Sequence, residues 1–197
     1  MSNPIFSTFA VAGEALLNTL DRKDVGCTLG ASGIQTDPLH LCFLDYDGVT
    51  HVDSVFWSPD RGIHITTPGR VLFEWAHILA TLLERYPDVK IVLSTSWVRL
   101  RGLEFAKAQL PPILRARVIG ATFDNRIVQK LEFDMMSRGC QVYADVERRK
   151  PAKWFAIDND DKGWPPACRD KLIKTDDNLG LSLPEVQDAI SKMLASF

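Results

Sequence analysis

Two aspartates one residue apart, Asp45 and Asp47, close an apolar run from Leu39 to Leu44, and Gly48 follows directly. On an extended chain two carboxylates at this spacing point to the same side, and a glycine behind them lets the backbone turn sharply. A short apolar run ending at a turn signal suits a strand buried on both faces of a parallel sheet. Open α/β sheets place their ligands at the carboxyl ends of such strands. The pair therefore suits a hard divalent cation and an anionic substrate. The same residues can also form a plain solvated acidic turn. A calcium-binding loop is excluded: counted from Asp45, the places that need Gly and Glu hold Thr50 and Phe56.

Other strand ends supply matching chemistry. A second buried strand, Val89 to Leu93, ends in Ser94-Thr95-Ser96-Trp97. Hydroxyls there, with the amides of a following helix, cradle an anion; simple helix capping by Ser or Thr is the alternative. A third strand is expected over Arg117 to Ala121 and a helix over Asn125 to Met136. Arg138-Gly139 then precedes another helix, reaching about Arg149. A fourth strand, Lys153 to Ile157, ends in Asp158-Asn159-Asp160-Asp161. That run also hints at a calcium loop, but Arg169 stands where the Glu belongs.

The elements that must position these groups alternate between strand and helix, which implies a parallel sheet with helices on both faces. Between the first two strands, residues 50–67 read as a small β-like flap carrying Trp57. Thr67 and Pro68 then read as N-cap and first residue of an amphipathic helix of about four turns through Leu83. Leu172 to Lys174 suits a short fifth strand. Ser182-Leu183-Pro184-Glu185 has the form of a capping box before a last helix faced by Val186, Ile190 and Leu194. Residues 1–38 form an extension without a motif, with a helical face from Phe9 to Leu20 and a polar loop from Asp21 to Pro38.

At 197 residues and a net charge of −2, the chain fits one main domain of residues 39–197, and its overall charge favours no class of partner. From Trp97 to Lys153, however, 12 Lys/Arg face 6 Asp/Glu, a local excess that can guide polyanions or simply solvate helices. The four cysteines have no C-x-x-C spacing and read as buried free thiols of a reducing compartment. No basic leader and no membrane-length apolar run is present, so a cytoplasmic protein is expected.

The order of these parts resembles the haloacid dehalogenase (HAD) superfamily of phosphohydrolases: Asp45-Tyr46-Asp47-Gly48, then Ser94-Thr95-Ser96-Trp97, a basic residue near a helix start, and Asp158 to Asp161. Asp-Gly-Val-x-His, Arg-Gly and a late Ile-Lys-Thr-Asp further resemble small bacterial and phage HAD proteins, some linked to nucleic-acid repair. The resemblance implies an α/β, Rossmann-like sheet with a minimal flap-type cap. It implies a Mg2+-dependent phosphatase in which Asp45 is the nucleophile and Asp47 the general acid and base. Asp45, Asp158 and the Asp47 carbonyl hold the metal; Thr95 and Arg138 bind the phosphoryl oxygens. Asp160 or Asp161 orients the basic residue or a metal-bound water. Ser94 is the alternative to Thr95, and Lys150 the alternative to Arg138. An acid at Asp47 separates phosphatases and phosphotransferases from dehalogenases and ion pumps. In this superfamily a small cap implies an open site, compatible with a bulky substrate such as a nucleic-acid end or a phosphoprotein; nucleotides or nucleic-acid ends are the expected substrates. Trp57 or Trp97 would then stack a base, unless both pack in the core. A catalytically silent metal- or nucleotide-binding regulatory module is the alternative.

Overall fold

A computed structural model of the protein describes residues 38–197. The helix expected over Phe9 to Leu20, and all but the last residue of the loop expected to Pro38, lie outside the described residues.

The chain runs β1 (His40–Leu44), the flap strands β2 (Val55–Ser58) and β3 (Gly62–Ile65), α1 (Ala76–Leu83) and β4 (Val89–Leu93). Short helices α2 (Ser96–Arg101), α3 (Leu103–Ala108) and α4 (Pro112–Arg115) lead to β5 (Val118–Ala121). Then come α5 (Lys130–Met135), α6 (Arg138–Arg149), β6 (Lys153–Asp158), β7 (Leu172–Lys174) and α7 (Pro184–Ala195). Five strands pair in parallel in the order β5-β4-β1-β6-β7, so β1 is central, and β2 and β3 form a separate antiparallel hairpin.

The uninterrupted apolar run of β1 is explained by cover on both sides. Cys42 and Leu44 face a core with Leu79 and Leu83 of α1 and Ile190 and Leu194 of α7. Leu41 and Phe43 face the other side, against Val142 and Val146 of α6. From β1 the chain builds outward to β4 and β5, then returns to place β6 on the opposite flank of β1. That reversal is the topological switch point where α/β sheets bind ligands.

The amphipathic pattern after Pro68 predicts about four turns of helix, but α1 begins only at Ala76. Gly69 and Phe73 both adopt positive φ, +77° and +59°, which no helix accommodates. Trp75 instead donates its amide to the Thr50 carbonyl, which ties this segment to the turn after β1. The helix expected from Asn125 is likewise delayed to Lys130, because Asp124 accepts the Arg126 amide in a local turn. The capping box does not form: Leu183 is the N-cap of α7, and the Ser182 hydroxyl turns back to the Leu179 carbonyl. Cys42 and Cys168 are buried free thiols, whereas Cys140 is exposed, against the expectation that all are buried. Among the described residues no helix is long and apolar enough to cross a membrane.

Candidate active site

Strand register assembles the centre. Leu44 pairs with Leu93 on one flank and Ile157 on the other, so the next residues, Asp45, Ser94 and Asp158, stand side by side at one sheet edge. Asp45 and Asp158 are almost wholly buried. Burial is the main reason that Asp45 is pushed up to about 6; Asp47 adds to the rise, while Arg138, the Tyr46 amide and the Thr95 hydroxyl oppose it. Asp158 is raised well above the usual carboxylate range, first by burial and then by Asp45.

Arg138 is the cation between them. Its guanidinium lies 3.3 Å from Asp45 Oδ2 and 3.1 Å from Asp158 Oδ2, and donates to the Ser94 carbonyl. The Asp158 contact is an ion pair without hydrogen-bond alignment, so among the described residues Asp158 Oδ2, like Asp45 Oδ1, has no hydrogen-bond partner. Lys150, the other basic candidate, is the left-handed C-cap at the opposite end of α6. The 12 residues of that helix put it about 18 Å from Arg138, so the two do not share a site.

Gly139 explains why Arg138 can reach. Its amide donates to the Lys162 carbonyl at 3.0 Å, and a Cβ there would run into the backbone of Gly163 and Trp164. Gly139→Ala must push α6 off this loop. We expect a loss of about 1–3 kcal/mol in urea unfolding, with activity falling further than stability because Arg138 moves with the helix. Gly48 is constrained in a similar way: its φ is +68° and a Cβ would meet Asn159.

Asp47 is only partly exposed and is held from two sides. The Trp97 indole N–H lies 3.1 Å from both its carboxylate oxygens, and His51 Nε2 lies 3.1 Å from Oδ1. The Phe73 amide donates to His51 Nδ1, which leaves Nε2 to carry the proton and donate to Asp47. The left-handed turn at Phe73 thus favours this tautomer, with the Thr50 hydroxyl also 3.0 Å from Nδ1. Its ring also packs edge-on to Tyr46, His51 and Trp97. The role of His51 was carried in the sequence only as the final letter of Asp-Gly-Val-x-His. Trp97 is buried among these rings, which removes it as a base-stacking platform; Trp57, 59% exposed on β2, is not a core residue.

Thr95 is the N-cap of α2 and accepts the Trp97 amide. Its own proton is left for the Asp45 carboxylate, which it helps hold down, or for a bound oxyanion. The Ser94 hydroxyl is buried without a partner among the described residues, while its carbonyl serves Arg138. The Asp160 amide donates to Asp158 Oδ1, and the Asp160 side chain caps its own turn at Lys162. Asp161 turns away into an exposed pair with Lys174. Thr175, in the Ile-Lys-Thr-Asp segment, locks two strand ends together: its amide donates to the Asp158 carbonyl and its hydroxyl to the Gly48 carbonyl.

The donor set fits Mg2+. Two adjacent carboxylates, each with an oxygen that takes no hydrogen bond among the described residues, suffice for an ion that keeps several waters. Among the described residues no three His, Cys, Asp or Glu side chains converge as a cation cage, and the Asp47 side chain is engaged by His51 and Trp97 instead.

A parallel sheet with Asp-x-Asp-Gly after its central strand, hydroxyls on one flank and an acidic strand end on the other defines a HAD-type α/β fold. Within that class the chain belongs to the family described as the HAD domain in Swiss Army Knife RNA repair proteins, whose model matches residues 41–186. That places it in a superfamily of phosphatase-type hydrolases. No curated protein and no solved structure matches the chain.

Proposed function

We propose that this protein is a Mg2+-dependent phosphomonoesterase that works through an aspartyl-phosphate on Asp45 and acts on nucleotides or nucleic-acid ends. One observation carries the reading: Asp45 and Asp158, neighbours in register and buried, each keep an oxygen without a hydrogen-bond partner among the described residues, beside Arg138. Asp45, Asp158 and the Asp47 carbonyl would hold the ion, whose chemistry is to offset the repulsion between carboxylate and phosphate.

An Asp45 oxygen bonds to phosphorus as the bond from phosphorus to the leaving oxygen breaks. Asp47 gives that oxygen a proton. Arg138 and the Thr95 hydroxyl hold the non-bridging oxygens. Asp47 then takes a proton from water, which attacks phosphorus and releases inorganic phosphate and the Asp45 carboxylate. The Asp160 amide keeps Asp158 in place. Lys150 and Asp161 have no part in this scheme.

Phosphate release from an aryl phosphate tests the reading. Turnover is expected with Mg2+, lost in EDTA and restored by added Mg2+. Mg2+ or nucleotide binding without release from any phosphomonoester would establish the regulatory module instead.

Trp97→Phe removes the donor that aims Asp47. Proton donation matters most for poor leaving groups, so kcat for alkyl phosphates should fall about tenfold or more beyond any loss with p-nitrophenyl phosphate. Equal losses on both substrates would make Trp97 a packing residue only.

A further inference from the structure

Strand alternation puts Val55, Trp57, Ile63 and Ile65 on one face of the flap hairpin, with Trp57 directly across from Ile63. Val55, Ile63 and Ile65 pack against the core. Trp57 shares their face yet is 59% exposed. Across from it stand Leu100, 64% exposed, and Arg101, both from α2. Between flap and helix lies a groove of about 500 Å3, whose lining also includes Asp47 and Trp97.

A general acid must touch the oxygen it protonates. On the phosphatase reading, on which this inference rests, the leaving group therefore occupies the space that Asp47 lines. Besides Asp47 and Ser96 its walls are aromatic and aliphatic, and among the described residues its one cation is Arg101, seated over the Phe105 ring at 4.9 Å. Ser96 and Arg101 cannot pair all the hydroxyls of a sugar phosphate, and the rest would go unpaired against such walls. A flat base would cover the exposed indole, and the phosphodiester that continues the strand would meet the guanidinium. A phosphotyrosyl peptide offers the ring but no backbone anion for Arg101. We propose that this groove holds the nucleobase of a phosphorylated oligonucleotide end, stacked on Trp57, with Arg101 serving the adjoining phosphodiester. Stacking of this kind accepts any base, so the end is recognised without regard to sequence.

Binding to the full-length Asp45→Asn protein tests this without turnover, using short oligonucleotides phosphorylated at either end, intact or with an abasic terminal nucleotide. Loss of the base should weaken binding about 5- to 150-fold, the value of one stacked base. Adding Trp57→Ala should cost the intact end a similar factor and abolish the difference between intact and abasic ends. Trp57→Phe should keep most of that difference. Equal affinity of intact and abasic ends for the parent overturns the proposal. So does an equal loss on both ends with Trp57→Ala, or tighter binding of a phosphotyrosyl peptide. Base-dependent binding alongside a wild-type protein that releases phosphate from nothing would overturn the phosphatase reading and leave the groove assignment standing.

Discussion

Asp45→Asn should abolish phosphate release and leave the protein no less stable than the wild type. The asparagine amide cannot attack phosphorus, so turnover of an aryl phosphate should fall by at least about a thousandfold. The stability effect follows from the site's electrostatics. Asp45 is buried, with Asp158 and Asp47 as like-charged neighbours, and burial raises it to about 6. Arg138 offsets only part of that cost. A neutral side chain of the same shape removes the desolvation penalty and the repulsion, so in Mg2+-free buffer the thermal midpoint should hold or rise by a few degrees. Turnover retained in Asp45→Asn would remove the residue from the chemistry. Turnover lost together with a large fall in midpoint would make it a structural ion-pair partner.

The parts of this site that could be read in the sequence are those whose physics is local. β1 declares itself because both of its faces are covered, and Asp45 and Asp158 because carboxylates directly follow apolar strands. Arg138 was favoured over Lys150 by resemblance, and the length of α6 separates the two in space. The arrangement around Asp47 was not legible. His51 is held beside it by the amide that Phe73 delivers from a left-handed conformation, and Trp97 by its place in the first turn of α2. The same conformation removes the first turns of the helix that the spacing after Pro68 predicts, so tertiary hydrogen bonds override a strong local pattern there. Trp57 and Trp97 show the limit most clearly. Their residue type is the same, yet one closes the core beside the acid while the other stands exposed on the flap, and only the pairing of β2 with β3 and the seat of α2 decide between them.

Arg138→Met should be the most destabilising of the substitutions in the absence of metal. The guanidinium meets Asp45, Asp158 and the Ser94 carbonyl at once, and its side chain is 17% exposed beside carboxylates at 5% and 0%. Methionine preserves much of the volume but leaves two buried carboxylates facing each other and a carbonyl without its donor. Breaking a buried pair from one side costs about 3–5 kcal/mol, which urea unfolding in EDTA would read directly. Two further measurements separate this cause from a packing defect. Adding Asp45→Asn to Arg138→Met should recover part of the loss, giving a coupling energy beyond additivity. Mg2+ should stabilise Arg138→Met more than wild type, because the ion supplies the missing positive charge and binds only the folded site. Arg138→Lys keeps a charge without the planar fork, so it should regain stability but little turnover. If Arg138→Met unfolds at the wild-type urea midpoint, the guanidinium is not what holds the two acids together, and the pairing of Asp45 with Asp158 needs another counterion.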